Sequence, residues 1–176
     1  MRRLFYALWP DDIFRLKLVN HALELARESQ GRAVRGDTLH LTLVFVGNVE
    51  NARVEKLAEC ADRVAARPFD LGIDTAGYFA KARAGWLGCS KVPQALVELQ
   101  AALQAEVSRS GFSIDTRAFK PHITMVRDGA HEIKQRTIPR IPWVVKSFSL
   151  LDSTQTATGT SYSVVKTWRM TGTFFE

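Results

Sequence analysis

Two periods of hydrophobic residues run along this chain, one typical of strands and one typical of helices. Side chains alternate faces every second residue in a strand, whereas an amphipathic helix repeats apolar residues every three or four. The helical period predicts three helices, at about residues 12–29, 51–66 and 93–110. We expect Gly31, the pair Arg67–Pro68 and Gly111 to end them, because glycine and proline interrupt a helix.

Strand-like segments occupy much of the remaining chain. They are predicted at residues 3–8, 40–46, 69–79, 84–90, 122–126, 143–151 and 162–170. Residues 128–141 are polar, basic and rich in proline, and residues 152–161 are rich in serine, threonine and glycine, so both stretches are expected to be loops. The order of elements lacks the regular rhythm of parallel βαβ units. It predicts an α+β fold with two antiparallel lobes related by an approximate twofold axis.

One four-residue pattern, histidine, apolar, threonine, apolar, occurs twice. The copies are His40–Leu43 and His122–Met125, and each has a valine four residues and a glycine seven residues after its histidine. In a strand this spacing places histidine and threonine on one face and the two apolar residues on the other. We therefore expect a duplicated lobe in which Leu41, Leu43 and Phe45 pack under helices while the histidines and threonines face outward.

These motifs also carry a resemblance to a known superfamily. The stretches HLTLVFVG and KPHITMVRDG resemble the two signatures of the 2H phosphoesterases, and specifically those of the bacterial RNA 2′,3′-cyclic phosphodiesterase group, also called the LigT-like or 2′-5′ RNA ligase family. The likeness extends to the opening RRLFYALWP and the closing FSLLDSTQTATGTSYSVVKTWRM. It implies a bilobed 2H phosphoesterase fold, in which two pseudo-twofold-related antiparallel sheets face a central cleft with helices outside. Residues 1–176 would then form a single domain of two intertwined lobes.

Two histidines in one cleft can serve as general acid and general base. Histidine titrates near pH 6.5, so one ring can be neutral and accept a proton while the other is charged and donates one. Hydrolysis of a cyclic phosphodiester needs both a base to activate water and an acid to protonate the departing ribose oxygen. Threonine hydroxyls on the same face can hydrogen-bond the non-bridging phosphate oxygens. The residues alone indicate a pair of catalytic histidines, but they do not show which is the acid and which is the base.

The resemblance implies a role for each candidate residue. His40 would be the proton donor to the leaving 3′ oxygen and His122 the proton acceptor that activates water, so that RNA ends carry a 2′-phosphate. Thr42 and Thr124 would bind the phosphate, without a metal or other cofactor, and the reverse reaction would join RNA ends through a 2′-5′ bond. Arg127 stands where relatives often carry an arginine near the phosphate. Strict alternation, however, would place Arg127 on the opposite face from His122.

Composition agrees with an anionic substrate. Lysine and arginine outnumber aspartate and glutamate by 24 to 18, and the net charge of +6 favours a polyanionic partner. The expected partner is RNA with 2′,3′-cyclic phosphate ends, with tRNA fragments among the candidates. The apolar run near the start is broken at Pro10, and no stretch approaches the ~20 apolar residues of a membrane span, so we expect a cytoplasmic monomer with no membrane partner. Cys60 and Cys89 fit no metal spacing and are interpreted as packing residues.

Three other interpretations stay open at this point. A metal-dependent hydrolase usually needs three or more ligands, and neither motif offers a carboxylate at ligand spacing. The same two-histidine chemistry could act on a small cyclic nucleotide or an ADP-ribose cyclic phosphate, since the sequence does not measure the width of the cleft. A non-catalytic RNA-binding module would use the basic charge together with aromatic residues such as Tyr78 and Trp86, although strand aromatics belong more often to the core.

Overall fold

The structure, a computed structural model, describes residues 1–115, 117–157 and 159–172. The described part of the chain contains nine strands, three α-helices and two short 3-10 helices at Gly36–Thr38 and Asn51–Arg53. In chain order the strands and α-helices are β1 (Arg2–Leu8), α1 (Asp12–Ser29), β2 (Arg32–Ala33), β3 (Leu41–Val49), α2 (Val54–Asp62), β4 (Phe69–Phe79), β5 (Ala84–Gly88), α3 (Gln94–Arg109), β6 (His122–Arg127), β7 (Arg136–Val145), β8 (Ser147–Thr156) and β9 (Gly159–Arg169).

The strands pair antiparallel and divide into two halves. One half has the order β7-β4-β5-β6 and the other the order β3-β1-β8-β9, while the short β2 pairs with β6. The halves meet where Leu41 of β3 pairs with Ile123 of β6. The predicted α+β fold with two antiparallel halves is confirmed. Hydrogen bonding also joins the two halves edge to edge, at the strands that carry the two motifs.

Helices cover the sheet and connect its halves. α1 follows β1 of one half but packs beside β5 and β6 of the other, while α3 packs beside β3 and α2 against α3. Phe14 of α1 stacks on Trp143 of β7, with ring centroids 4.6 Å apart. The apolar faces of the helices and strands form one large hydrophobic core. No helix in the described ranges is long and apolar enough to cross a membrane.

The ends of the helices follow local sequence signals in part. Asp11 caps α1, because its carboxylate accepts a hydrogen bond of 2.8 Å from the backbone N–H of Phe14. The left-handed residue that ends α1 is Gln30, with φ of 51°, and not Gly31 as expected. Gly31 is needed for a different reason: a Cβ atom there would lie 2.5 Å from Cγ1 of Val126 in β6. Glycine thus permits the close approach of the chain to a motif strand.

The second helix is shorter than predicted. It ends at Asp62, and not near residue 66, because the segment before Pro68 pairs with another part of the chain. The carbonyl oxygen of Ala66 accepts a hydrogen bond of 3.0 Å from the backbone N–H of Thr171. A residue that precedes proline also disfavours the helical conformation. The third helix agrees with its prediction to within a residue at each end.

The two long predicted loops were wrong in part, the first over residues 136–141 and the second over most of its length. β7 begins at Arg136 and contains Pro139 and Pro142, which is possible because β7 lies at the edge of the sheet. A break at Lys146 then divides the single strand that was predicted over residues 143–151. β8 continues to Thr156 and β9 begins at Gly159, so most of the predicted loop 152–161 is strand, and residue 158 lies outside the described residues. Threonine is β-branched and suits a strand, which outweighs its polarity here.

Candidate active site

The two motif histidines lie at the junction of the two halves. His122 is the first residue of β6, and His40 directly precedes β3. Leu41 pairs with Ile123, and the antiparallel register therefore places His40 opposite Thr124 and Thr42 opposite His122. Each histidine thus faces the threonine of the other motif. This crosswise arrangement is what an approximate twofold axis between the motif strands produces.

Each histidine ring is held by the same backbone contact. Nδ1 of His40 lies 2.7 Å from the carbonyl oxygen of Thr38, and Nδ1 of His122 lies 2.6 Å from the carbonyl oxygen of Lys120. A carbonyl can only accept a hydrogen bond, so Nδ1 carries the proton in both rings. In the neutral ring Nε2 is then the atom with the lone pair. Neither Nε2 has a hydrogen-bond partner in the described part of the chain.

Aromatic rings fix the orientation of both imidazoles. Tyr162 of β9 meets His40 nearly edge to face, with centroids 4.9 Å apart and planes inclined by 76°. Phe79 of β4 meets His122 in the same way, at 4.9 Å and 83°. Phe5 adds a second contact to His40 at 5.0 Å. The two rings are therefore restrained on one side by a carbonyl and on another by an aromatic edge or face.

Burial and nearby positive charge keep both imidazoles neutral. Burial is the largest cause that lowers the pKa of His40, to about 4, and the charges of Arg127, His122 and Arg15 lower it further. The hydrogen bond to the Thr38 carbonyl opposes this shift because it stabilises the charged ring. Burial also lowers the pKa of His122, with a further contribution from Arg127. Without an anion in the site, both histidines are therefore bases at neutral pH.

Arg127 lies on the same side as the histidines, contrary to strict alternation. On β6, Thr124 pairs with Trp86 and Val126 pairs with Gly85, so Met125 is an extra residue in the ladder. Met125 and Val126 are accordingly both buried in succession. A β-bulge of this kind reverses the alternation beyond it, and Arg127 then lines the same cavities as His40. Arg127 has no ion-pair partner in the described part of the chain.

The first motif contains the same bulge at the equivalent position. On β3, Thr42 pairs with Ala7 and Val44 pairs with Tyr6, so Leu43 is the extra residue. Leu43 and Val44 are both buried, and Phe45 is 39% exposed. The expectation that Phe45 packs under a helix was therefore wrong, because the bulge turns its ring toward the cleft. β3 also continues to Val49 and does not end at Gly47.

Two cavities flank His40 and Arg127. The first, of about 190 Å³, is also lined by Thr38 and Thr124, and by Arg32 and Arg35, two arginines that form ion pairs. The second has a volume of about 330 Å³. Its other lining residues are Arg3, Phe5, Thr42, Phe45, Ser153, Gln155, Thr160 and Tyr162. His122 lines neither cavity, so both lie on the His40 side of the junction.

The β8–β9 hairpin contributes residues that the sequence did not indicate. Gln155, Thr160 and Tyr162 line both cavities. They fall in or beside the stretch that was predicted as a loop, and only the pairing of β8 with β9 brings them to the site. Tyr78, by contrast, lines neither cavity. Its hydroxyl donates a 2.8 Å hydrogen bond to the carbonyl oxygen of Gly129.

Trp86 also lines neither cavity. Its ring stacks on that of Phe79 at a centroid distance of 5.4 Å, and Phe79 in turn contacts His122. Trp86 therefore supports the ring that orients a histidine, which corresponds to the packing interpretation and not to a platform for bases. The described residues contain no group of three or more His, Cys, Asp or Glu side chains arranged to hold a metal ion.

Comparison with known proteins identifies the family. The family model of the 2′-5′ RNA ligase superfamily matches residues 9–157. This chain belongs to the 2′-5′ RNA ligase superfamily. The resemblance seen in the two motifs is thereby confirmed.

Members of the superfamily with similar sequences have a common name. The RNA 2′,3′-cyclic phosphodiesterase of Escherichia coli is 32% identical over 174 residues, which cover 97% of this chain and 97% of that protein. A protein of the same name from Thermotoga maritima is 33% identical over 143 residues, or 75% of each chain. The superfamily fold is also seen in solved structures. Escherichia coli LigT in complex with 3′-AMP matches with a TM-score of 0.87 over 97% of this chain and 99% of that one, at 32% identity.

Proposed function

We propose that this protein hydrolyses the 2′,3′-cyclic phosphate ends of RNA to 2′-phosphates, with His40 and His122 as general acid and general base. Cyclic phosphodiesterase activity follows from membership of the superfamily and from relatives that are named RNA 2′,3′-cyclic phosphodiesterases. The observation that supports the two-histidine mechanism is the matched geometry of the rings. Each Nδ1 is tied to a carbonyl oxygen, each Nε2 lacks a hydrogen-bond partner among the described residues, and the guanidinium of Arg127, which forms no ion pair with them, lies beside the rings.

The proposed reaction is one in-line displacement at phosphorus. Nε2 of His122 accepts a proton from a water molecule as the water oxygen forms its bond to phosphorus. The bond between phosphorus and the 3′ oxygen breaks, and protonated Nε2 of His40 donates its proton to that oxygen. The 2′ oxygen keeps its bond to phosphorus. The two motifs come from the two halves of the sheet, which is the placement that acid and base on opposite sides of one phosphorus require.

The substrate itself supplies the charge that makes His40 an acid. Its pKa of about 4 keeps the free ring neutral at pH 7. A cyclic phosphodiester carries one negative charge, and an opposite charge within a few ångströms favours the protonated imidazole. Binding should therefore be accompanied by proton uptake. The histidine that becomes charged is the one that donates its proton in the displacement.

The phosphate is held by the remaining members of the proposed site. Thr42 and Thr124 donate hydrogen bonds from their hydroxyls to the non-bridging oxygens, and Arg127 neutralises the charge that builds up on them. Arg127 suits this role because its guanidinium lies beside both histidines, whose pKa values it lowers, and forms no ion pair among the described residues. We include it in the site for this reason.

The same site would also catalyse RNA joining. When a 5′ hydroxyl of RNA takes the place of water, the same displacement at phosphorus breaks the bond to the 3′ oxygen and joins the RNA ends through a 2′-5′ bond. Hydrolysis is the favoured direction, since water is in vast excess. We further propose that residues 1–176 act as one domain, because each half of the sheet supplies one histidine and neither half holds both.

The test uses purified protein in EDTA, without nucleotide cofactors, and a short RNA that ends in a 2′,3′-cyclic phosphate. Chromatography locates the phosphate of the product. We expect a 2′-phosphate from the wild type, and its loss in both His40→Ala and His122→Ala. His131→Ala is the matched control, because His131 is an exposed histidine outside both motifs and both cavities.

Each other outcome contradicts a specific part of the proposal. Conversion that survives both motif substitutions would refute the two-histidine mechanism. A 3′-phosphate product would show that the 2′ oxygen is the leaving group. Activity that EDTA abolishes and added metal restores would favour the metal-dependent alternative. No conversion of RNA together with hydrolysis of a small cyclic nucleotide would favour that substrate class instead.

A further inference from the structure

The chain leaves the sheet directly after Arg127, the arginine of the proposed phosphate site. β5 pairs with β6 as far as Val126, and Arg127 pairs with Arg32 of the two-residue β2. Asp128 then adopts the left-handed conformation, with φ of 58°. A residue other than glycine keeps this conformation where the surrounding structure holds it. The contacts of residues 128 and 129 therefore matter for the position of the Arg127 side chain.

Arg83, in the turn between β4 and β5, binds both residues that follow Arg127. Its Nε donates a hydrogen bond of 3.0 Å to the carbonyl oxygen of Gly129, and its Nη2 donates one of 3.3 Å to the carbonyl oxygen of Asp128. The carbonyl oxygen of Arg83 accepts a hydrogen bond of 3.0 Å from the backbone N–H of Gly129. One residue of the turn thus attaches the end of β6 through both its side chain and its backbone.

Tyr78 of β4 contacts the same segment. Its hydroxyl donates a hydrogen bond of 2.8 Å to the carbonyl oxygen of Gly129, the oxygen that Arg83 also binds. Gly129 is the glycine that follows the second motif histidine by seven residues, and a Cβ atom there would lie 2.9 Å from Cε2 of Tyr78. At the equivalent Gly47 a Cβ atom would meet the ring of Phe45 at 3.6 Å, an ordinary contact distance. Glycine at position 129 therefore permits the approach of the tyrosine ring.

Neither Tyr78 nor Arg83 lines a cavity beside the histidines, whereas Arg127 lines both. We infer that Tyr78 and Arg83 are positioning residues for Arg127: they hold Asp128 and Gly129, fix the end of β6, and so keep the guanidinium of Arg127 beside the phosphate. A displacement of about 1 Å near the reacting group can lower a rate by about 100-fold. The inference rests on the proposed function and on the place of Arg127 in it.

The first experiment uses Tyr78→Phe, which removes one hydroxyl and no charge. On RNA that ends in a 2′,3′-cyclic phosphate, we expect kcat/KM to fall about fivefold, the effect of one hydrogen bond between neutral groups. In an Arg127→Gln background, Tyr78→Phe should cause no further loss, because the side chain that Tyr78 positions is missing.

Tyr6→Phe is the matched control. The hydroxyl of Tyr6 also donates to a backbone carbonyl, that of Leu57, and Tyr6 is buried outside both cavities. Its substitution removes the same atom from a similar bond at a distant place in the core. We expect a lower melting temperature for this variant and a kcat/KM equal to that of the wild type.

A pH profile distinguishes displacement of Arg127 from a general loss of rigidity. Burial lowers the pKa of His40 and of His122, and the charge of Arg127 lowers both further. If the guanidinium moves away, the decline of kcat/KM with rising pH begins at a higher pH. Tyr78→Phe should therefore shift the profile in the same direction as Arg127→Gln, although it removes no charge. Tyr6→Phe should leave the profile unchanged.

Arg83 is tested by two substitutions. Arg83→Gln removes the guanidinium and should lower kcat/KM by about tenfold, because two hydrogen bonds from a charged group are lost. This loss should also disappear in an Arg127→Gln background. Arg83→Lys keeps a charged donor and should recover part of the activity. Arg67→Gln is the control, since it removes an exposed positive charge outside both cavities and should leave kcat/KM unchanged.

The outcomes separate this inference from the proposed function. Wild-type kinetics in Tyr78→Phe and Arg83→Gln, or losses of the same size with and without Arg127, would overturn the inference and leave the proposed hydrolysis standing. Unchanged kinetics in Arg127→Gln would remove Arg127 from the site and overturn the inference with it, while the two histidines keep their roles. A wild-type protein that does not hydrolyse the cyclic phosphate would overturn both.

Discussion

The two motif copies are alike in what holds the histidine and different in what lies five residues further along. In both copies Nδ1 binds the carbonyl two residues earlier, an aromatic ring meets the imidazole at 4.9 Å, and a bulge follows the threonine. Beyond the bulge, one copy presents Phe45 and the other presents Arg127. The shared backbone thus positions two equivalent histidines, while the side chain that lines the cavities after the bulge differs between the two halves.

The copies also differ in electrostatics. Burial is the largest cause that lowers the pKa of both histidines, and positive charge adds to it: Arg127, His122 and Arg15 act on His40, whereas Arg127 acts on His122. The additional group that acts on His40 besides His122 is Arg15, which lies 4.3 Å from the ring centroid of Trp9. Equivalent backbone positions therefore do not make equivalent histidines.

The largest effect on activity should come from substitution of the histidines, which the two motif copies share. We expect His40→Ala and His122→Ala each to lower kcat on cyclic phosphate RNA by about 10²–10⁴-fold, the usual value of one positioned proton transfer. Because acid and base act in the same step, the double variant should be nearly as active as the weaker single variant. Steady-state kinetics of the four proteins measures this. Losses that multiply in the double variant would mean that the histidines act independently.

Substitution of Arg127 tests the side chain that differs between the two motif copies. Arg127→Gln should lower kcat/KM by roughly 10–100-fold, since a hydrogen bond to a charged group contributes about 1.5–3 kcal/mol. Arg67→Gln serves as the control, because Arg67 lines neither cavity and lies on the segment after α2. An Arg127→Gln enzyme with unchanged kinetics would remove Arg127 from the site.

How far the sequence predicts this site depends on how local each feature is. The period of two placed each His and Thr on one face, because it depends only on residues within one strand. The positions of Phe45 and Arg127 were not readable from their own strands. Each depends on a bulge, and a bulge is defined by the register with the neighbouring strand, β1 or β5.

Dependence on neighbouring strands also explains why parts of the two predicted loops are strands. Pro139 and Pro142 exclude a central strand but not an edge strand, and only the order of the whole sheet places β7 at an edge. The threonines of β8 and β9 lie on an exposed hairpin, where polar side chains are expected. Their backbone groups nevertheless pair the two strands. The cavity residues Gln155 and Tyr162 were missed for that reason. Features that depend on contacts distant in sequence are the ones that the pattern does not predict.

The pH dependence of activity tests whether the pKa values of the two histidines are lowered. The pKa values of both free histidines lie below the ordinary value of 6.5, and the reaction needs one proton on the pair. The protonated fraction, and with it kcat/KM, should therefore fall about tenfold per pH unit above pH 6.5, whichever histidine is the acid. Arg127→Gln removes a charge that lowers both values, so its decline should begin at higher pH. A kcat/KM that stays constant to pH 8 would contradict the lowered pKa values.

The pH dependence of stability should show the same asymmetry between the two histidines. The pKa of His40 is about 4 in the folded protein and near 6.5 when unfolded. Between these values the unfolded chain binds the extra proton, so the free energy of unfolding should increase as pH rises from 4 to 6.5, by at most about 1.4 kcal/mol per unit from this group. Urea denaturation across that range, with His40→Asn and His122→Asn, measures it. His40→Asn should flatten the pH dependence more than His122→Asn, because burial and then positive charge lower the pKa of His40 as far as about 4. Equal curves for wild type and His40→Asn would show that the His40 ring is not held neutral.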